Sequence, residues 1–407
     1  MNDDSLLLGF TAPIFQDGRG RIFLEQQTIS GLTAWRENFS RVVAFSIGTE
    51  GEVPDGWVDM EQVAGKAAGI EVITLPDTYS LKTYLRQRRQ VEAQLLGLMQ
   101  GTQYHTFGYG GWIGDPGEIA ASVARRHGIP HAVWFDRVES DVIMSTPADS
   151  LGARLKRAIR CGIVRRHERR AVRCADLSLL HGASVFAHFS PLARRAEIVE
   201  DVHYTEDDRI GPDALSRKET SAADGPLQIL YCGRASAMKG PLDWIGALAG
   251  LKAAGVAFCA RWVGDGEMLP EMRAAAASAG LSETDLRFEG FVADAGQVRA
   301  FYREAHLLMF CHMTDESPRN LIESLHSATP LIGYRDPYSA GLVAEQGAGV
   351  LVPRGDVAAL VQTVVDLDRD RQRLAGLIRL AGASAGRLTR DNVFRHRSEI
   401  IRQQIPS

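Results

Sequence analysis

Short apolar runs alternate with longer stretches of helical periodicity along most of this chain. In the N-terminal half the runs are Leu6-Leu7-Leu8-Gly9-Phe10, Val42-Val43-Ala44-Phe45-Ser46, Ile70-Glu71-Val72-Ile73-Thr74-Leu75, Gln103-Tyr104-His105-Thr106-Phe107, Pro130-His131-Ala132-Val133-Trp134-Phe135 and Asp176-Leu177-Ser178-Leu179-Leu180. Runs of this length, bounded by turn residues, read as strands buried on both faces. Ile22 to Phe39, Leu81 to Met99 and Ile119 to His127 read as helices between them. Strand alternating with helix predicts a parallel sheet covered on both sides. Ligands of such sheets gather at the carboxyl ends of the strands. That singles out the loops at Gly18, Gly110 and Asp136. Asp136-Arg137-Val138-Glu139 follows a strand directly, where charged groups position a substrate or move protons; the alternative is a solvated loop.

The same alternation returns after Pro226. Leu227-Gln228-Ile229-Leu230-Tyr231-Cys232, Ala257 to Val263, Leu286 to Val292, Ala305 to Phe310, Pro330 to Tyr334 and Gly349 to Pro353 read as strands. Val357 to Leu367, Arg371 to Ala381 and Asn392 to Gln404 read as helices. This predicts a second doubly wound α/β sheet. Glu200 to Asp224 is polar, lacks periodicity and reads as a linker. The expected organisation is an N-terminal domain over 1–203, a linker over 204–225, a C-terminal domain over 226–385, and a last helix within 386–407 that packs back on the first domain.

The candidate chemistry centres on Asp315-Glu316-Ser317-Pro318-Arg319-Asn320-Leu321-Ile322-Glu323. A strand ends upstream, carboxylates stand in the loop, and Ser317-Pro318 reads as a helix start with Ser317 as the cap. Free amides and the positive helix end favour an anion such as phosphate. Glu323, in the second helical turn, has the carboxylate that a ribose diol would need. A second loop, Gly233-Arg234-Ala235-Ser236-Ala237-Met238-Lys239-Gly240, carries two cations and glycines ahead of another helix. Lys239 there is opposed by the helix dipole unless an anion stands beside it. Arg234 can reach the same anion with a bidentate fork. The loop matches neither the Walker nor the dinucleotide glycine pattern, so a nicotinamide cofactor is not indicated.

Composition narrows the classes further. The chain has 407 residues, 45% hydrophobic and 24% charged, with a net charge of −4. These values describe a globular protein of more than one core, with no global signature of nucleic-acid binding. Five cysteines without a Cys-x-x-Cys pair argue against a zinc site or disulfide frame. Met1-Asn2-Asp3-Asp4 leads straight into a strand, so no signal peptide is expected. No apolar run approaches a membrane span. A cytoplasmic protein is the expectation. Leu151 to Ala175 is locally different: Arg154, Lys156, Arg157, Arg160, Arg165, Arg166, Arg169, Arg170 and Arg173 face a single acid, Glu168. Leu151, Leu155, Ile159 and Ile163 recur every fourth residue, so the segment reads as an amphipathic basic helix. Docking on anionic lipid at the cytoplasmic face of a membrane, or gripping an anionic substrate, are its two functional readings.

Taken in order, Gly233-Arg234, Lys239-Gly240, Gly264-Asp265-Gly266, Phe288-Glu289-Gly290, the acidic helix with Glu323, Pro330 and Gly349 to Pro353 resemble the retaining glycosyltransferases of family 4. That resemblance implies the GT-B fold, two facing Rossmann-like domains with a cleft between them. It implies a hexosyltransferase that is metal-independent, needs no cofactor, and draws on a UDP or GDP sugar. The acceptor would be a glycan or lipid-linked molecule of cell-surface polysaccharide synthesis. Arg234 and Lys239 then match the diphosphate-binding pair, Glu323 the ribose acid, and Glu316 the acid facing the sugar. Gly233, Gly264, Gly266, Phe291, Ser317, Arg319, Asn320 and Leu321 fall on the donor side, and Gly18, Gly110 and Glu139 on the acceptor side. Two departures stand out. Glu316 lies one residue closer to Glu323 than the family's usual spacing, which Asp315 meets instead. Asp136-Arg137 occupies the place where members often carry a histidine, and either side chain could serve the sugar or the acceptor. Two alternatives use the same fold: a catalytically degenerate binding or scaffold subunit, and a sugar-nucleotide epimerase.

Overall fold

The computed structural model describes residues 4–54, 56–63, 65, 68–110, 114–145, 150–384, 386 and 388–406. The chain divides into two compact units, Met1–His203 with Arg390–Ser407, and Tyr204–Thr389.

The first unit carries strands β1 (Ser5–Gly9), β2 (Ile14–Gln16), β3 (Ile22–Glu25), β4 (Arg41–Glu50), β5 (Trp57–Asp59), β6 (Ile70–Leu75), β7 (Tyr104–Gly108), β8 (Ala132–Phe135), β9 (Leu177–His181) and β10 (Ala196–Val199). Their order is β10-β9-β8-β7-β1-β4-β2-β3-β5, with β6 also paired to β4. From β10 across to β4 and β6 every pairing is parallel. Helices α1 (Gln26–Asn38), α2 (Leu81–Gln100), α3 (Pro116–His127), α4 (Glu139–Ser145), α5 (Leu151–Cys174) and α6 (Gly182–Phe189) connect them. Leu7, Val43, Phe107, Val133 and Leu180 from the sheet join Val91 and Leu95 of α2, Val123 of α3 and Val172 of α5 in one core. Each such side chain contributes about 1.5–3 kcal/mol when fully buried.

Two expectations for this unit change. Ile22 to Phe39 is not one helix: β3 precedes α1 and pairs antiparallel with β2. Gly18 therefore lies in a hairpin turn, not in a strand-to-helix loop. Asp17 builds that turn by accepting the Arg19 and Arg21 amides. The apolar Ile22-Phe23-Leu24 run fits both periods, and cross-strand pairing with Phe15 decides it. In α5 the four-residue repeat is real, but Leu151, Leu155, Ile159 and Ile163 form its exposed side. Cys161, Val164, Glu168, Ala171 and Val172 are the buried ones. Glu168, the lone acid, accepts from the Ser140 amide at the start of α4, so it satisfies a helix end.

The second unit opens with α7 (Pro212–Ala223) and holds β11 (Leu227–Cys232), β12 (Phe258–Val263), β13 (Leu286–Gly290), β14 (Leu307–Phe310), β15 (Leu331–Tyr334) and β16 (Gly349–Val352). Helices α8 (Pro241–Ala253), α9 (Leu269–Ser278), α10 (Ala295–Glu304), α11 (Arg319–His326), α12 (Pro337–Gln346), α13 (Val357–Arg369) and α14 (Arg371–Ser384) fill the connections. The sheet is wholly parallel, in the order β13-β12-β11-β14-β15-β16. The chain runs outward from β11 to β13 and then returns to the other side of β11, so its direction reverses between β11 and β14. Such a switch point opens a crevice at the strands' carboxyl ends. Tyr231 stacks on Trp262 beneath it, ring centroids 4.2 Å apart, and Trp244 donates its indole N–H to the Met309 carbonyl.

The segment read as a linker over 204–225 is part of this unit. Its helix α7 buries Lys218, whose ammonium donates to the Tyr302 and Ser327 carbonyls and to Thr329. A lysine on the buried face hides the apolar period, which is why hydropathy misses the helix. The last helix, α15 (Arg390–Gln404), belongs to the first unit. Phe394 meets Trp35 edge to face, and buried Arg397 lies 4.3 Å over the Trp134 ring.

Buried His306, at the amino end of β14, tests this packing. The Gln228 amide donates to its Nδ1 at 3.2 Å, so Nε2 carries the proton and meets the Ser221 hydroxyl at 3.0 Å. Burial, helped by Lys218 and Arg371, pushes this imidazole down to about 4. An unfolded histidine binds its proton near 6.5, so the unfolded state gains protons first and stability falls as pH drops from about 6.5 to about 4. His306→Asn keeps an acceptor for the Gln228 amide and removes the titration. Urea unfolding at pH 7 and 4.5 should show the variant losing on the order of 2 kcal/mol less than the parent chain across that window.

Candidate functional site

The loops at the β11–β14 switch point are locked by backbone before any side chain is considered. Met313 N–H donates to the Met238 carbonyl at 2.8 Å, joining the loop after β14 to the loop after β11. Ala235 N–H donates to Asp265 O, and Met268 N–H to Ala235 O, joining the loop after β12 to the same frame. Glycine is required at these crossings. Gly240 has φ +61, and a methyl group there would strike the Cys311 carbonyl. Side chains at Gly264 and Gly266 would strike the Gly233 and Ala235 carbonyls. These glycines thus let the loops approach one another.

Onto this frame the sequence hangs opposite charges. Lys239 Nζ lies 2.6 Å from Glu316 Oε2, with the two side chains only 13% and 19% exposed. This carboxylate is the anion that a lysine ahead of the α8 N-terminus calls for. Burial raises the Glu316 pKa, and Lys239 works against that rise. Asp315 turns the other way and pairs with Arg354 in the loop after β16. Glu316, not Asp315, is therefore the acid directed into the crevice floor.

Beneath the pair lies a group that the sequence reading passed over. His312, two residues beyond the end of β14, is 0% exposed. Its Nε2 is 3.0 Å from the Tyr231 hydroxyl, and its Nδ1 is 4.0 Å from Glu316 Oε1. A titratable residue just past the carboxyl end of a switch-point strand is the signal that could have found it. Burial and the nearby Lys239 and Arg354 cations hold His312 neutral, well below the usual imidazole range.

The other donor-side candidates fall around this cluster unevenly. Arg234 is exposed on the β11–α8 loop and makes no side-chain hydrogen bond or ion pair among the described residues. Glu323 is half-buried on α11 and accepts from the Tyr302 hydroxyl at 3.2 Å. Asn320 straps α11 to β11, its amide donating to the Cys232 carbonyl at 2.7 Å. Phe291 stands 78% exposed just beyond β13. Ser317 and Arg319 are half-buried before and at the start of α11. Two expectations are corrected here. Pro318, with φ −77 and ψ 129, is the N-cap of α11, so the Ser317 hydroxyl stands one residue too early to cap it. The Leu321 amide is closed on the Pro318 carbonyl and its side chain is fully buried, so it offers no free donor.

In the first unit the loops at the carboxyl ends hold fewer converging groups. Gly110 packs on Asp115, which is buried and caps α3 by accepting the Glu118 amide. The continuation of that glycine loop, 111–113, lies outside the described residues. Asp136 and Arg137 are exposed after β8, and Arg137 is tied to Glu139, the first residue of α4, at 2.8 Å. The sequence reading missed His181, whose Nε2 lies 3.6 Å from the Glu200 carboxylate where β9 and β10 end. Among the described residues no three His, Cys, Asp or Glu side chains are grouped to hold a metal ion.

The loop frame is open to a direct check. Gly240→Ala combines a strained φ with a backbone collision, and should lower unfolding free energy by on the order of 2 kcal/mol or more. Gly280→Ala has a similar φ, +67, in open space and should cost about half as much. The comparison is read from urea midpoints at unchanged slope.

Residues 213–380 match the family model described as glycosyl transferases group 1. The chain is 30% identical over 156 residues to the 2-deoxystreptamine N-acetyl-D-glucosaminyltransferase of Streptomyces fradiae. That match spans 36% of this chain and 36% of the relative, so the chain spans about a third of the curated relative it matches. Among solved structures, the HepE protein of Anabaena in complex with UDP-glucose superposes with a TM-score of 0.68 at 15% identity, over 98% of this chain and 99% of that one. Sucrose-phosphate synthase of Thermosynechococcus elongatus superposes with a TM-score of 0.70 at 15% identity, over 98% of each chain. The chain therefore has the GT-B fold, and its residues 213–380 match the model of the glycosyl transferases group 1 family.

Proposed function

We propose that this chain is a retaining glycosyltransferase that moves a hexosyl group from a nucleotide diphosphate sugar to a glycan or lipid-linked acceptor without a metal ion. The observation that carries the reading is the Lys239–Glu316 pair at the β11–β14 switch point, inside the family-matched region. Lys239 and exposed Arg234 supply the positive charge that a leaving diphosphate needs, and the start of α11 adds its dipole. Glu323 serves the ribose, and Glu316 faces the sugar. The anomeric carbon–oxygen bond to the β-phosphate breaks as the acceptor oxygen bonds the same face of that carbon. The acceptor's proton passes to the departing phosphate oxygen. UDP is the first nucleotide to try, because HepE was solved with UDP-glucose bound. Asp136 and Arg137 are the candidates for contacts to the sugar or acceptor. Calorimetric titration with UDP, GDP and ADP, first without and then with magnesium, should show micromolar binding of one nucleotide in both conditions. Arg234→Ala should weaken that binding about 10- to 100-fold, as expected for losing one charge-assisted contact. Arg234→Ala and Lys239→Ala should each abolish sugar transfer. Unchanged turnover in both would overturn the phosphate assignment. Nucleotide binding without transfer to any acceptor would favour the scaffold reading instead.

The membrane reading of α5 gains from its packing. The face opposite buried Cys161, Val164 and Glu168 carries Leu151, Leu155, Ile159 and Ile163 in its first half and Arg166, Arg169, Arg170 and Arg173 in its second. No helix among the described residues is long and apolar enough to cross a membrane. An apolar patch continuous with arginines suits shallow insertion into an anionic bilayer surface, each cation adding about 1 kcal/mol. Sedimentation with phosphatidylglycerol-containing vesicles should show salt-sensitive binding. Charge reversal at Arg165, Arg166 and Arg169 should reduce it by about two orders of magnitude at low salt. Unaltered binding would refute this role.

A further inference from the structure

The Lys239–Glu316–His312–Tyr231 chain contains two buried polar atoms that face each other without a partner. Glu316 Oε1 and His312 Nδ1 are both shielded from solvent and unbonded, and they stand 4.0 Å apart. That separation is about 1 Å beyond a hydrogen bond. Leaving such atoms unsatisfied costs on the order of 1–3 kcal/mol each, so their juxtaposition needs a reason.

The proton inventory shows what the gap can become. Burial keeps the Tyr231 phenol in its protonated form. His312 Nε2, 3.0 Å away, is the partner of that phenol among the described residues, and it takes the phenol's hydrogen. A neutral imidazole whose Nε2 accepts must carry its proton on Nδ1. Nδ1–H is therefore a donor aimed at a carboxylate oxygen. The other oxygen of the same carboxylate is held by Lys239 at 2.6 Å.

We propose that His312 is a positioning residue that takes over the Glu316 carboxylate when a phosphate group takes Lys239. The inference rests on the donor-site reading above and deepens it. An incoming diphosphate competes with Glu316 for the Lys239 ammonium. Once Lys239 shifts its bond to phosphate, nothing opposes closure of the 4.0 Å gap onto Nδ1–H. The carboxylate keeps a partner throughout, and its freed Oε2 turns toward the space that a donor sugar enters. Placement of the acid is thereby coupled to occupancy of the phosphate site. No bond is made or broken covalently, and no proton changes owner.

Two conservative variants separate positioning from packing. His312→Asn keeps a donor near the Nδ1 position and can still hold Glu316. His312→Gln reaches the Nε2 position, keeps the Tyr231 bond and loses the donor toward Glu316. The expected result is that UDP affinity stays within about threefold in both, while kcat falls about 10- to 100-fold in His312→Gln and by much less in His312→Asn, the loss of one charge-assisted hydrogen bond. Equal losses in the two variants, or a greater loss in His312→Asn, would overturn the proposal. A readout free of catalysis uses inorganic pyrophosphate on the full chain with nitrogen-15-labelled histidine. Pyrophosphate should move the His312 Nδ1–H proton downfield and slow its exchange, and Glu316→Gln should abolish the change. Binding without that change, or no binding of pyrophosphate or UDP, would refute the handover. If the resonance responds but no acceptor is ever glycosylated, the transferase reading fails and the His312 assignment stands.

Discussion

An ammonium and a carboxylate held 2.6 Å apart, both largely withdrawn from water, impose the main constraint on the C-terminal unit. Neither charge would be tolerated there alone, since an unpaired buried ion costs several kcal/mol. Their meeting requires the loops after β11 and β14 to touch. Touching requires the Met313–Met238 backbone bond and the bare Gly240 backbone against Cys311. The strand order supplies the rest, because only where β11 and β14 lie side by side do loops so far apart in sequence share one crevice. The aromatic stack of Tyr231, Trp262 and Trp244 makes the floor rigid and places His312 under the carboxylate.

The first unit follows a different logic. The groups at its strand ends are dispersed, exposed or tied to near neighbours, as Arg137 is to Glu139. Its most unusual feature is α5, where the side turned to the protein includes the helix's only acid and the side turned away combines leucine, isoleucine and arginine. A helix that buries a carboxylate and exposes an aliphatic stripe reverses the usual arrangement of a globular surface helix. The buried acid has a local cause in the α4 amides it satisfies. Among the described residues of its own unit, nothing covers the exposed stripe.

Much of the fold could be read in advance because buried parallel strands announce themselves. Leu6-Leu7-Leu8, Val42 to Phe45 and Leu307 to Phe310 are apolar at every position, and their short length between turn residues marks them as strands buried on both faces. The order of Gly233, Lys239, Glu316 and Glu323 was legible for a similar reason. Loops at strand ends need glycine to cross and charge to hold an anion, and both leave marks in short stretches. The misreadings came where a local rule met a distant partner. Ile22 to Leu24 became a strand because Phe15 was there to pair with it. Helix α7 was invisible because Lys218 buries its ammonium among carbonyls contributed by α10 and by the end of α11. Ser317 was read as the cap of α11, yet Pro318 takes that position.

Sequence alone established two alternating α/β halves, the loops that carry charge, and the family resemblance, since each depends on residues close together along the chain. Tertiary structure alone decided that Glu316 rather than Asp315 meets Lys239, that His312 lies beneath them, and which side of α5 faces outward. Those outcomes depend on distances between segments far apart in the chain. Small differences in loop path, amplified by the steep dependence of hydrogen bonds and ion pairs on distance, determine which neighbour a side chain reaches.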